Sequence, residues 1–149
     1  MFAGDHISKL DDKGRLVFPA QLKALADIEQ TGRLRFVVRK NQFRNCLDMF
    51  LDKEWQKQSE GVRARLDIEF NEEHDEFWSA YTSNRDIVVP DEKMGRILIS
   101  KELIEMIDVR KEVVFAGKDF KIELWAKEHF LESKKSGKEY IALAKKILG

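Results

Sequence analysis

Two short segments of this 149-residue chain carry the same chemistry: an acid, a glycine and an arginine that directly follows the glycine. Leu10-Asp11-Asp12-Lys13-Gly14-Arg15-Leu16-Val17-Phe18 returns as Asp91-Glu92-Lys93-Met94-Gly95-Arg96-Ile97-Leu98-Ile99. In the gapless register Asp11 corresponds to Glu92, Gly14 to Gly95 and Arg15 to Arg96. Glycine permits a positive backbone torsion, so Gly14 and Gly95 each allow a tight reversal between strands with the flanking side chains thrown outward. Asp11 and Glu92 can accept hydrogen bonds from turn N–H groups, or pair with the arginine four positions on and fix its guanidinium. A guanidinium so held suits a guanine edge or a phosphate, because its paired N–H donors meet two acceptors at once. One such turn would be an ordinary hairpin with an exposed ion pair, which stabilises by only about 0–1 kcal/mol. Two copies that keep glycine-arginine while their neighbours drift point to a working surface.

The duplication extends beyond the turns and dictates the elements that hold them. Phe36-Val37-Val38 matches Val113-Val114-Phe115, Cys46 to Phe50 matches Lys121 to Trp125, and Lys53-Glu54 matches Lys127-Glu128. Apolar runs at 16–18, 34–38, 46–51, 97–99, 112–116 and 120–125 read as strands. Short helices follow the turns, one opened by Pro19 at its first helical position and ending near Ala26, the other capped by Ser100 and ending near Ile107. The repeat unit is strand, turn, strand, helix, strand, loop, strand. Four strands with one short helix cannot close a core alone, so two units must interlock into one sheet or barrel. From about 52 to 84 lies a helical insert, with Asn71 as a cap and Phe70, Phe77, Trp78 and Tyr81 on one face. The last stretch carries Phe130, Leu131, Tyr140, Ile141, Ala144, Ile147 and Leu148 at helical spacing, interrupted at Gly137. That stripe fits the core and the cover of a neighbouring subunit equally well.

An apolar content of 43% is enough for one core. The single Cys46 excludes an intramolecular disulfide, and neither a secretory leader nor a membrane span is expected. A reduced, cytoplasmic protein follows. The formal net charge of zero is unevenly placed: Arg33, Arg35, Arg39, Lys40 and Arg44 form a run without acids, whereas Asp67, Glu69, Glu72, Glu73, Asp75 and Glu76 crowd together. Neutrality can therefore conceal a basic face and an acidic one. Catalysis has little to draw on. His74 sits on the aromatic stripe, His6 and His129 lack partners at metal or triad spacing, and Cys46 reads as a small buried hydrophobe. No catalytic residue, metal site or cofactor is expected.

The paired turns, the opening Met1-Phe2-Ala3-Gly4, the Leu10 to Pro19 stretch and the late Phe120-Lys121-Ile122-Glu123-Leu124-Trp125 together resemble the MraZ family of bacterial transcriptional regulators over nearly the whole chain. The resemblance implies an α+β, mainly β fold: two AbrB-like β-α-β repeats, at 5–52 and 85–128, interlocked into one pseudo-twofold barrel. A helical linker at 53–84 and a C-terminal helix at 129–149 complete it. It also implies a sequence-specific DNA-binding regulator, a repressor of the division and cell-wall gene cluster acting on repeats in its own promoter. Its partners would be double-stranded DNA and further copies of itself in a ring-shaped homo-oligomer, in the cytoplasm at the nucleoid and away from membranes. Carried over position by position, the DNA-binding residues are Lys13, Arg15, Lys93 and Arg96, with Asp11 and Glu92 orienting them. The chain departs from the pattern at Glu92, one methylene longer than aspartate, at Met94 in place of the lysine before glycine, and at Ala3, where a basic residue is common. The competing reading is an oligomeric assembly protein without specific DNA binding, in which Trp55, Trp78 and Trp125 would serve interfaces, although Trp125 closes an aligned strand and reads as core.

Overall fold

Strands that are buried on both faces lie at the centre of the sheet, and strands with exposed positions lie at its edges. The computed structural model describes residues 1–149 and has eight strands and six helices. The first half contains β1 (Asp5–Lys9), β2 (Arg15–Val17), α1 (Ala20–Glu29), β3 (Phe36–Lys40), β4 (Leu47–Leu51) and α2 (Asp52–Arg63). After α3 (Glu72–Tyr81), the second half repeats the order with β5 (Arg85–Val88), β6 (Arg96–Leu98), α4 (Lys101–Met106), β7 (Glu112–Lys118), β8 (Lys121–Ala126) and α5 (Lys127–Ser133). The chain closes with α6 (Gly137–Leu148).

Six strands form one antiparallel sheet in the order β1-β7-β8-β4-β3-β5, and β2 pairs with β6 in a separate two-stranded ribbon. Exchanging the two halves turns that order into itself, so a pseudo-twofold axis runs between β4 and β8. Each half completes the other: β1 pairs with β7, β5 with β3, and β2 with β6. The reversals at Gly14 and Gly95 therefore do not close self-contained hairpins. They send successive strands onto the opposite half. All five residues of β4 are buried, as are five of the six in β8, because both faces of the sheet centre are covered. β1 and β5, whose apolar alternation is too brief to stand out in the sequence, are edges with exposed positions.

The main core draws on both halves. Leu16, Phe18, Leu22, Phe36 and Val38 meet Ile97, Ile99, Leu103, Val113 and Phe115. The ring of Phe18 lies 5.2 Å from Phe36 and 5.6 Å from Phe115. Each such side chain contributes about 1.5–3 kcal/mol through burial. On the outer face of the sheet, Val37, Phe50, Trp55 and Tyr81 pack under α2 and α3, while Cys46, Val114, Trp125 and Phe130 pack under α5.

Caps behave as local chemistry predicts. Asn71 accepts a hydrogen bond from the His74 N–H, and Ser100 from the Leu103 N–H. Pro19 occupies the cap position and not the first helical one, its ψ of 128° keeping it outside α1. The C-terminal region is two helices, because Lys134–Ser136 is extended and Ser136 opens α6 with a capping box to Glu139. No residue of α6 is buried, so its apolar stripe does not join the core of its own chain. No helix is long and apolar enough to cross a membrane.

Candidate nucleic-acid interface

An aspartate closes each turn. In the first, the Asp11 N–H donates to the Arg15 carbonyl at 2.9 Å and the Gly14 N–H donates to the Asp11 carbonyl at 3.0 Å. Asp11 Oδ1 accepts from the N–H groups of Lys13 at 2.9 Å and Arg15 at 2.8 Å, while Oδ2 accepts from Arg15 Nε at 2.8 Å. The left-handed φ of 79° at Gly14 makes this reversal possible. The backbone N–H of Arg15 is the foremost influence holding the Asp11 carboxyl below the usual carboxylate range, with the Arg15 guanidinium and the Lys13 N–H adding to it.

The second turn has the same closure with one more residue in it. The Asp91 N–H donates to the Arg96 carbonyl at 2.9 Å, and the Gly95 N–H to the Asp91 carbonyl at 3.1 Å. Asp91 Oδ1 accepts from the Met94 N–H at 2.6 Å, the foremost cause of a lowered carboxyl here too. The acid that pairs with the turn and its arginine is therefore Asp91, and the expectation of Glu92 is corrected: Glu92 lies within the turn, but its exposed side chain makes no hydrogen bond or ion pair there. A gapless register misplaces the acid because Asp91 lies five residues before Arg96, against four between Asp11 and Arg15. The longer turn is also looser. Arg96 Nε stands 3.5 Å from Asp91 Oδ2 and is left buried without a hydrogen bond.

Both carboxylates are ionised at neutral pH. A carboxyl lowered in the folded state contributes stability that is complete above the ordinary aspartate range and is lost as pH falls through its own lowered value.

The ribbon carries both arginines on one face. Arg15 is opposite Leu98 and Val17 is opposite Arg96, while the intervening pair, Leu16 and Ile97, is buried beneath. The Arg15 and Arg96 side chains are 33% and 28% exposed, and their terminal Nη groups have no protein partner. Lys13 and Lys93 are exposed in the two turns without an ion pair. Arg15 and Arg96 thus share the outward face of the ribbon, and Lys13 and Lys93 lie in the turns that enter it from its two ends.

The basic run at 33–44 does not make a second such surface. Arg35 pairs with Asp52 at 3.3 Å, Arg44 with Glu123, and Lys40 donates to the carbonyls of Asn41 and Arg44. The Arg39 guanidinium lies 4.5 Å from the ring centre of Tyr81 and 5.7 Å from that of Trp55. Arg33 alone of the five has no partner for its side chain. The contribution of Asp52 and Glu123 to this bookkeeping was invisible in a window that contained no acids.

Sequence reasoning also missed a buried charged group at the pseudo-twofold axis. Asp48 and Glu123 are directly opposite on β4 and β8 and occupy equivalent places in the repeat. Lys121 Nζ lies 2.9 Å from Asp48 and 3.3 Å from Glu123, Asn41 donates to both oxygens of Asp48, and Trp125 Nε1 donates to Glu123 at 3.1 Å. Cys46, Asp48 and Glu123 bring possible metal-ligand atoms within 4.8 Å of one another. Lys121 and Arg44 already compensate the two carboxylates, however, which is the chemistry of an ion-pair network. Burial first, then the charges of Glu123 and Asp48, push the Cys46 thiol up to about 12, so it is protonated and unreactive at neutral pH.

The family model described as "MraZ protein, putative antitoxin-like" matches residues 1–75 and 83–139. This chain belongs to the MraZ family. Both turns and both ribbon strands lie inside the matched segments, whereas most of α6 lies beyond them. Among curated relatives, the transcriptional regulator MraZ of Bacteroides thetaiotaomicron is 31% identical over 147 residues, covering 99% of this chain and 92% of that protein. That of Dictyoglomus thermophilum is 32% identical over 136 residues, covering 91% and 86%. That of Moorella thermoacetica is 29% identical over 157 residues, covering 99% and 97%.

Proposed function

We propose that this MraZ-family chain is a sequence-specific DNA-binding transcriptional regulator whose two turns form its contact with double-stranded DNA. The observation that carries the reading is the hydrogen bond from Arg15 Nε to Asp11, which fixes the guanidinium and leaves both Nη groups free for paired acceptors. Arg15 and Arg96 are the base-reading groups and Lys13 and Lys93 neutralise phosphates, with Gly14 and Gly95 as hinges and Asp11 and Asp91 as orienting acids. The strand exchange between halves supports an AbrB-like interlocked barrel of two repeats, 5–52 and 85–128, joined by the linker 53–84 and followed by 129–149.

A single bidentate arginine contributes about 1–3 kcal/mol of base discrimination, too little to find a promoter. A ring-shaped homo-oligomer that offers many copies of the turns to regularly spaced repeats converts weak contacts into tight binding. The exposed stripe Tyr140, Ile141, Leu143, Ile147 and Leu148 on α6 supports self-association. The regulator acts as a repressor of the division and cell-wall gene cluster, at repeats in its own promoter, and works at the nucleoid.

The test is Arg15→Ala in an electrophoretic shift on DNA from upstream of the gene, with size-exclusion chromatography alongside. Binding is lost while the oligomer persists, and wild-type binding falls as salt rises. An undiminished shift by the variant rejects the assignment. Loss of no binding by any turn variant, with the oligomer intact, favours the assembly protein instead.

A further inference from the structure

The outward face of the β2–β6 ribbon has two residues that an arginine-phosphate contact leaves unexplained. Val17 is 55% exposed and Leu98 is 61% exposed, although each lies on a strand whose next residue inward is a fully buried aliphatic. A strand with one solvated face ordinarily alternates apolar inside with polar outside. Here the only outward positions of β2 and β6 besides the arginines are both aliphatic, at equivalent places in the two repeats. Cross-strand register sets Leu98 beside Arg15 and Val17 beside Arg96, so each arginine has an exposed aliphatic neighbour.

The spacing matches a duplex. Residues two apart on a strand are about 6.6 Å apart, close to two base-pair steps of about 3.4 Å, and cross-strand neighbours are about 5 Å apart. A two-stranded ribbon fits the major groove, where guanine offers O6 and N7 to arginine and thymine offers its C5 methyl group to an apolar side chain. The minor groove has no methyl to meet.

From this juxtaposition we infer that Val17 and Leu98 read the C5 methyl groups of thymines next to the guanines taken by Arg15 and Arg96. The inference rests on the DNA-binding reading above and adds a base class to it: the site contains thymine beside guanine, and the methyls are recognised as such. The arginines supply hydrogen bonds that a lone aliphatic cannot, and the aliphatics distinguish thymine from cytosine, which has no methyl and presents a donor.

The experiment uses the full chain and the upstream fragment, prepared with thymine or with uracil, which keeps every Watson–Crick hydrogen bond and lacks only the methyl. Wild-type affinity falls on the uracil fragment, by about fourfold for each methyl lost. A Val17→Ser, Leu98→Ser double variant binds the thymine fragment with a similar loss and does not distinguish thymine from uracil. Equal wild-type binding to both fragments overturns the inference, as does a double variant that still prefers thymine. The wild-type comparison stands even if the double variant misfolds. Failure of the underlying reading looks different, because there Arg15→Ala binds both fragments as the wild type does.

Discussion

Replacing Lys121 with methionine keeps most of the aliphatic stem and removes the ammonium group from the pseudo-twofold axis. In the native chain that ammonium serves two carboxylates at once, at 2.9 and 3.3 Å, and the Asp48 and Glu123 side chains are only 9% and 2% exposed. Without it Glu123 keeps Arg44 and Trp125, but Asp48 keeps only the Asn41 amide while still facing Glu123 across the strands. Removing one partner of a buried pair costs about 3–5 kcal/mol. The Lys121 side chain is 14% exposed, so water relieves a part of this and the lower end, about 3 kcal/mol, is expected. With a urea slope of roughly 2 kcal/mol/M, the unfolding midpoint falls by about 1.5 M, measured at fixed protein concentration because assembly also stabilises. A triple variant, Lys121→Met with Asp48→Asn and Glu123→Gln, removes the uncompensated charge and regains most of the loss. A single-variant loss below about 1 kcal/mol, or a triple variant no more stable than the single, refutes charge compensation as the force that holds this seam.

Asp91→Ala weakens promoter binding in the shift assay, whereas Glu92→Ala leaves it within about twofold, since a solvated surface charge off the contact contributes little; the opposite ranking returns the orienting role to Glu92. Gly117→Ala would place a Cβ 2.3 Å from the Ala3 nitrogen and 2.6 Å from the Ala3 Cα, forcing out a segment whose Phe2 is 3% exposed. Its cost is about 3–5 kcal/mol, as for emptying a buried phenylalanine site, and an unchanged melting temperature contradicts that close approach. Cys46, with its thiol pushed up to about 12, stays unmodified by a thiol reagent at pH 8 in the native protein and reacts in denaturant; rapid native labelling shows that the site is open.

The two turns of the candidate site and the helix caps were legible because turns and caps are local. Gly14, Gly95, Arg15 and Arg96 follow from the repeat, and Asn71 and Ser100 cap their helices as their side chains dictate. The acid of the second turn was misplaced because a gapless comparison does not detect a one-residue insertion when both Asp91 and Glu92 are available. The repeat unit called for a strand before each turn, but the limits of β1 and β5 were not readable, because their partners lie in the other half. The same distance concealed the fate of the basic run: Arg44 is paired 79 residues away, with Glu123. It concealed the Asp48–Glu123 opposition as well, which exists only once β4 and β8 are in register. The interlock of two units was deducible from the shortage of helix to cover four strands, but not which strand each would borrow.

The exchange of strands also sets an order of events during synthesis. Asp5 is paired with Ala116 and Lys9 with Glu112, so the strand that precedes Arg15 has no mate until more than a hundred further residues have left the ribosome. A nascent first half has β3 and β4 as a local pair but bare edges on either side, surfaces that invite another unfinished chain. Long-range pairing of this kind folds slowly, since loop closure precedes any reward. Where many copies are made together, such an edge can be met by the late strand of a sibling chain, and intertwined dimers then compete with the monomeric fold.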